Sequence, residues 1–237
     1  MNNFTTKCLR NCGINLTRDA SYKLRDFFIT VTIRKIKNKK QAEKVLKLKK
    51  INVLKQIHSD KIVVIKKAKS VNDIKADGII TNVRNFPVAV KVADCIGSII
   101  VDPEKKVIAV IHSGWRGVAG KIILKAVKKM KKNFGVKPEN LIVITSPAIG
   151  PCCYEIGSEL HKKLKKQRIF SNIFIKRGNR IFMDLQKANE NLLLSAGVRK
   201  KNVFLNRTCT KCNNDSFFSY RMEGKKAGRM FVIGMIR

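Results

Sequence analysis

Histidine is scarce in this 237-residue chain: His58, His112 and His161 are the only three. A multicopper oxidase draws on far more imidazole than this for its blue and trinuclear copper centres, so the count argues against that chemistry. Tryptophan occurs once, proline five times, and Asp and Glu together only 16 times. No apolar run reaches the roughly 18–20 residues that a membrane span requires, so no membrane partner is expected. The opening Met1-Asn2-Asn3-Phe4-Thr5-Thr6-Lys7-Cys8 lacks the continuous apolar stretch of a secretory signal. A cytoplasmic location is the expectation. No repeat, proline-rich linker or low-complexity block divides the sequence. With 44% hydrophobic residues the chain can bury a proper core, and one domain over residues 1–237 is expected.

Against the 16 acids stand 51 lysines and arginines, a net charge of +35. Such a balance suits nucleic acid or an anionic surface. The basic residues are spread through every segment, however, and aromatics make up only 7%. A nucleic-acid face more often clusters arginine and interleaves aromatics, and an AT-rich genome that turns neutral surface positions into lysine produces the same picture. A basic nucleic-acid-binding module is therefore a rival reading and not the leading one. The field is expected to favour anionic small molecules, phosphates above all. The seven cysteines are an odd count and, in a reducing compartment, do not suggest a disulfide framework. Cys209 and Cys212 form a C-x-x-C without a second pair beside it. A structural metal there would need Cys8 and Cys12 from across the chain, while Cys152-Cys153 read as small packing residues.

Two stretches carry the chemistry. Ala93-Asp94-Cys95 follows the apolar run Phe86–Val92, and His112-Ser113-Gly114-Trp115-Arg116-Gly117 follows Val107–Ile111. Both runs read as buried strands, and a strand that ends in a ligand-type residue delivers it to a cleft. Further strands are expected at 61–65, 79–81, 141–144, 203–205 and 231–233, with Asp77-Gly78 as a turn. Helices are expected within 35–50, from Gly117 to Asn133, and from Asp184 to Ala196. Strands and helices mix without strict alternation, which gives an α/β or α+β fold: a mixed sheet flanked by helices.

A catalytic zinc takes three protein ligands and keeps a fourth position for water or substrate. Cys95 and His112 are two; His58, just before a strand, is the natural third. His161 lies among lysines and reads as solvated. The stretch around Gly114, Trp115, Arg116 and Gly117 leads into a helix, where free N–H groups gather and glycine permits close approach. Arg116 can fork onto a phosphate or carboxylate, and Trp115 can stack on a base. Asp94 is a candidate general base or imidazole-orienting group, with Glu155 as a second carboxylate. Cys95 as nucleophile and His112 as base would instead make a cysteine-dependent amide hydrolase, in which His58 has no part.

Taken together, Gln56-Ile57-His58, Ala76-Asp77-Gly78, Ala93-Asp94-Cys95, the His112–Gly117 stretch, Pro147–Cys152, Asp184-Leu185, Asn189, Phe217–Arg221 and Gly228-Arg229 resemble the YfiH family. That family was once named for polyphenol oxidase and includes laccase-domain-containing proteins. The resemblance runs over residues 56–229. It implies an α/β sandwich with zinc at His58, Cys95 and His112; copper is the second choice. It further implies phosphorolysis of adenosine, inosine, guanosine and S-methyl-5'-thioadenosine, and deamination of adenosine, so that purine nucleosides and phosphate are the expected partners. The family has also been linked to editing of peptidoglycan precursors, which fits the amide-hydrolase alternative. Arg221 and Arg229 are expected near substrate or phosphate. Two departures stand out: the family's Arg-Arg is Arg221-Met222 here, and its upstream Asn-Arg is best matched by Asn38-Lys39, which makes Lys39 the candidate phosphate contact.

Overall fold

The computed structural model describes residues 24–237. Cys8 and Cys12, which a metal at Cys209 and Cys212 is expected to need, fall outside them. Among the described residues, thirteen strands follow in chain order. The first seven are β1 (Phe27–Val31), β2 (Asn52–Val53), β3 (Ile62–Ile65), β4 (Gly78–Thr81), β5 (Val88–Val92), β6 (Ile96–Asp102) and β7 (Val107–Ser113). After them come β8 (Ile142–Thr145), β9 (Glu155–Ile156), β10 (Phe174–Arg177), β11 (Arg180–Met183), β12 (Val203–Phe204) and β13 (Met230–Ile236). Among the described residues the α-helices that join them are α1 (Lys39–Val45), α2 (Trp115–Ala119), α3 (Ile122–Phe134), α4 (Ser158–Lys165), α5 (Leu185–Ser195) and α6 (Tyr220–Glu223).

The strands form a six-stranded mixed sheet of order β12-β8-β6-β7-β4-β3, a four-stranded sheet β1-β13-β5-β2, and a small sheet β10-β11-β9. Period-two alternation decides how they stack. On β6, Ile99 and Val101 join one core while Ile96 and Ile100 join another. On β7, Ile108 and Val110 face the first, and Val107, Ala109 and Ile111 the second. The four-stranded sheet answers with Val88, Val90 and Val232 in the first core, so the two sheets pack face to face. Gly97 marks how closely: a Cβ there would lie 2.4 Å from Val232 Cγ2. The outer face of the large sheet is covered by α3, through Ile123, Val127 and Met130, and by α5, through Leu192 and Leu193. The far side of the small sandwich sheet packs Phe28, Ala89 and Phe231 around Ala42 of α1. The result is a layered α/β sandwich, the fold class expected.

The departures from expectation have local causes. The helix expected from Gly117 to Asn133 is two helices, α2 and α3, separated at Gly120-Lys121. Lys121 adopts a left-handed φ of 57°, and a Cβ on Gly120 would meet Asp60 Oδ2 at 2.5 Å. Asp60 in turn pairs with Lys125. The break lets one turn sit beside the ligand residues and the longer helix lie on the sheet. Asp77-Gly78 is not a free turn: Gly78 opens β4 and pairs with both Ile62 and Ile111. His161 is half-buried, its ring edge-on to Phe174 at 4.7 Å, and not on an open solvated face.

Ile108 is fully buried between the two sheets. Ile108→Ala should cost about 2–5 kcal/mol, read as a lower urea midpoint with an unchanged denaturant slope. A loss below about 1 kcal/mol would mean the inter-sheet layer is not the main core.

Candidate active site

Sheet register brings the ligand-type residues into one row. Ile62 pairs with Gly78, Gly78 with Ile111, and His112 with Gly97. The residues just outside these pairs therefore meet at one end of the large sheet: the His58 loop before β3, Asp77 before β4, His112 near the end of β7 and Cys95 before β6. Ligand atoms of His58, Cys95 and His112 all lie within 4.8 Å of one another. The two imidazole rings stand edge to face, centroids 4.9 Å apart. A Cβ on Gly114 would sit 2.7 Å from Cys95 Sγ, so glycine at 114 makes room for the thiol.

Asp77 organises the row. It is completely buried. Its Oδ1 accepts from His112 Nδ1 at 2.9 Å and from the His58 N–H at 3.0 Å. Its Oδ2 accepts from the Ser59 N–H at 2.6 Å, the Ser59 hydroxyl at 2.7 Å and the Ile57 N–H at 3.3 Å. A carboxylate can only accept, so His112 Nδ1 carries a proton, and the other ring nitrogen is the one that can bind a metal once its own proton is given up. The loop reaches Asp77 because His58 takes a left-handed φ of 54°. Orienting the imidazole, expected of Asp94, falls to Asp77 instead. The Asp-Gly pair reads locally as a turn, which hid this role; an acidic residue just before a strand adjoining the His112 strand is the signal that was available.

These groups strongly polarise one another. Burial penalises a charged Asp77, but hydrogen bonds from His112 and Ser59 outweigh it and hold the carboxyl down at about 2. Burial likewise opposes an imidazolium, yet Asp77 and then Cys95 bring His112 up to about 9. For Cys95, burial raises the thiol pKa and contacts with His112 and His58 bring it down to about 7.

The row forms the floor of a cavity of about 820 Å³. Lys55, Lys91, Arg116, Arg221 and Arg229 bring five cationic side chains to its wall, against one acid, Asp94. Trp115, Tyr154 and Tyr220 add aromatic surface. The Arg116 guanidinium lies over the Trp115 ring at 4.2 Å, and that of Arg221 over Tyr154 at 5.2 Å. Burial, and then the charge of Cys95, push the Tyr154 hydroxyl up to about 12. Asp94, at a left-handed φ of 80°, accepts from Thr210 Oγ1 and from the Arg221 N–H, both at 2.6 Å.

Several expected contacts lie elsewhere. Lys39 is not on the cavity wall; it sits on α1 beside Glu43 at 3.7 Å and near the Ile51 carbonyl. The Asn38-Lys39 pair is used as a helix start, Asn38 capping α1 through Gln41 N–H. Lys55 and Lys91 take that place on the wall, although nothing in their neighbouring sequence distinguishes them from other surface lysines. Gly117 packs inside α2 against Ile122 and the Ser59 carbonyl. Glu155 points outward toward Arg180. Met222 is exposed and off the cavity.

An α/β sandwich with a His–Cys–His constellation of metal-ligand type, at the floor of a cationic cavity, defines the class. The family model described as "Multi-copper polyphenol oxidoreductase laccase" matches residues 32–237, and the chain belongs to that family, the YfiH family. It is 34% identical over 185 residues to a purine nucleoside phosphorylase of Clostridium acetobutylicum, covering 78% of this chain and 76% of that protein. It is 31% identical over 159 residues to an adenosine deaminase from an unknown prokaryotic organism, covering 66% of this chain and 60% of the deaminase. Among solved structures, the hypothetical protein YfiH of Bacillus licheniformis superposes with a TM-score of 0.79 at 26% identity, covering 84% of this chain and 79% of that one. Among the described residues, no helix is long and apolar enough to cross a membrane.

Because His112 is raised and Asp77 lowered, their contributions to the stability of the metal-free protein have opposite pH limits. His112 stabilises fully below its ordinary value of 6.5, and this is lost as pH rises through about 9. Asp77 stabilises above its ordinary 3.8, and this is lost as pH falls through about 2. In a Cys95→Ala background, which removes the thiol that titrates with it, the urea-midpoint gap between metal-free protein and its His112→Gln variant should be constant from pH 5 to 6 and narrow as pH rises above 6.5; a gap that widens would refute the pairing. Asp77→Asn should weaken zinc binding about 10–100-fold, measured by competition with a chromophoric chelator.

Proposed function

We propose that this chain is a zinc-dependent purine nucleoside enzyme, catalysing phosphorolysis of adenosine, inosine, guanosine and S-methyl-5'-thioadenosine and deamination of adenosine. The observation that carries the reading is the convergence of His58, Cys95 and His112 on the floor of a cavity with cationic and aromatic walls. The names of the relatives, a phosphorylase and a deaminase, support it.

The residues fit the ion. One sulfur and two imidazole nitrogens are a catalytic zinc donor set, and the cavity leaves the fourth side open. Asp77 already fixes the His112 tautomer that a metal needs. Two imidazoles and a thiolate also occur in blue-copper centres, which keeps copper as the second choice for this donor set. Held by His58, Cys95 and His112, zinc would supply Lewis acidity and would lower the pKa of a bound water toward neutrality.

The chain's own groups divide the remaining work. For phosphorolysis, a phosphate oxygen must reach the anomeric carbon as the bond to the purine nitrogen breaks and the base leaves. Arg116 supplies a fork-shaped donor for phosphate; Arg221 and Arg229, each with one terminal nitrogen already on backbone carbonyls, keep their remaining donors for it, with Lys55 and Lys91 as point charges. Trp115 holds the Arg116 guanidinium in place by stacking. Tyr154 keeps its proton at neutral pH and so remains a hydroxyl donor at the wall. For deamination, water replaces the amino group at the purine ring carbon and ammonia leaves. Asp94 is the carboxylate beside that chemistry, its two oxygens each already holding one donor.

One observation favours a second reading. A Cys95 thiol brought to about 7 next to a His112 raised to about 9 is the polarity of a nucleophile and its base. On that reading the chain is a cysteine-dependent amide hydrolase acting on a peptidoglycan precursor, and His58 is idle.

His58→Ala therefore discriminates. It should abolish zinc binding at this site and nucleoside turnover, whereas His161→Ala, on α4 against Phe174, should change activity less than about twofold. Full turnover by a metal-free His58→Ala protein would favour the hydrolase. Arg116→Ala should weaken phosphorolysis about ten- to a hundredfold through lost charge-assisted hydrogen bonds, while deamination changes far less. Inosine phosphorolysis and adenosine deamination are to be measured side by side at fixed ionic strength; equal losses would remove the phosphate role of Arg116.

A further inference from the structure

A second cluster of metal-ligand type lies on the far side of the Asp94 wall. The Sγ atoms of Cys152, Cys153, Cys209 and Cys212 all fall within 4.8 Å of one another. Cys152 and Cys153 approach Cys212 to 3.6 and 3.4 Å. Four thiolates at about 2.3 Å from a tetrahedral ion stand about 3.8 Å apart, so the sulfurs are already near the required spacing. We propose that these four cysteines bind a second, structural divalent metal ion, zinc by the softness of an all-sulfur donor set.

Three features support a built site. The Gly150 N–H donates to Cys209 Sγ at 3.2 Å, the kind of backbone bond that orients a metal-bound sulfur. A side chain at position 150 would crowd Cys209 Cβ at 3.1 Å and Cys152 Sγ at 3.2 Å, so glycine is what lets the two segments close on the sulfurs. The segments are also joined by backbone pairing: Ala148 bridges Cys209, with the Thr210 N–H donating to the Ala148 carbonyl at 3.0 Å. Ligation releases the thiol protons to solvent and leaves a dianionic centre, which the surrounding excess of positive charge offsets; Arg177 already donates to the Cys152 carbonyl at 3.2 Å. Neither Cys152 nor Cys212 is core packing, since both are exposed. No redox step is involved.

The site's place explains its use. The loop bearing Cys152 also carries Ile149, whose N–H donates to the Asp94 carbonyl at 2.9 Å. The segment bearing Cys209 carries Thr210, which holds the Asp94 carboxylate. A shared ion would pin both loops and so fix the residue next to Cys95. The second ion is distinct from the first and does not depend on the nucleoside reading.

The test uses full-length, untagged protein reduced and reconstituted anaerobically with zinc or cobalt(II) alone. Zinc content should be about two per chain for wild type, falling to about one in Cys212→Ser and in Cys95→Ala. Cobalt identifies which ion is which: a tetrahedral all-thiolate centre gives intense sulfur-to-cobalt charge transfer, several times that of a centre with one thiolate. This signature should persist in Cys95→Ala and disappear in Cys212→Ser. Should Cys212→Ser fail to fold, zinc-edge absorption on Cys95→Ala reads the same centre directly, as four sulfurs at about 2.3 Å. Retention of the all-thiolate signature in Cys212→Ser, its absence from wild type, or recovery of Cys212 in a disulfide after anaerobic reconstitution would overturn the proposal.

Discussion

One buried carboxylate holds the site together. Asp77 joins the loop before β3 to the end of β7 by accepting three backbone N–H groups, a hydroxyl and an imidazole N–H. A carboxylate taken out of water is costly unless its lone pairs are filled, and here they are filled by the elements that must be aligned. The cost of burying the charge and the precision of the ligand geometry are thus the same fact. The sheet does the rest, because β4 sits between β3 and β7 and places Asp77 between their ends.

Charge is distributed with the same economy. The +35 excess covers the whole chain, but on the cavity wall it takes a specific form, guanidinium groups held against aromatic rings. Stacking turns the edge of a guanidinium, where its donors lie, toward a planar anion, although Arg221 and Arg229 each already give one terminal nitrogen to backbone carbonyls. Lys55 and Lys91 add field without direction. A cavity built this way attracts anions from a distance and orients them only at close range.

What sequence could and could not reveal follows from separation along the chain. Cys95 and His112 are legible because each closes an apolar run, and an apolar run of that length reads as a strand. The helix over residues 185–195 is legible from its apolar spacing and its Asp184 cap. Asp77 is not, since Asp-Gly has the local chemistry of a turn and its role arises only from the pairing of Gly78 with Ile111. The four-cysteine cluster is hidden for a similar reason. Its halves are brought together by a single bridge between Ala148 and Cys209, and a lone C-x-x-C gives no hint of a Cys-Cys pair so far upstream. Lys39 misleads because Asn-Lys before a helix is also an ordinary cap.

Position 58 carries two demands that few residues meet together. Its left-handed backbone turns the N–H groups of Ile57, His58 and Ser59 inward around one anion, a small amide nest. Glycine or asparagine would satisfy that backbone more easily than most side chains, and neither offers an imidazole. Histidine is one of the few larger residues that tolerates the conformation, so the alphabet at this position is narrowed from both directions: by what the loop can bend around and by what the cavity floor can hold.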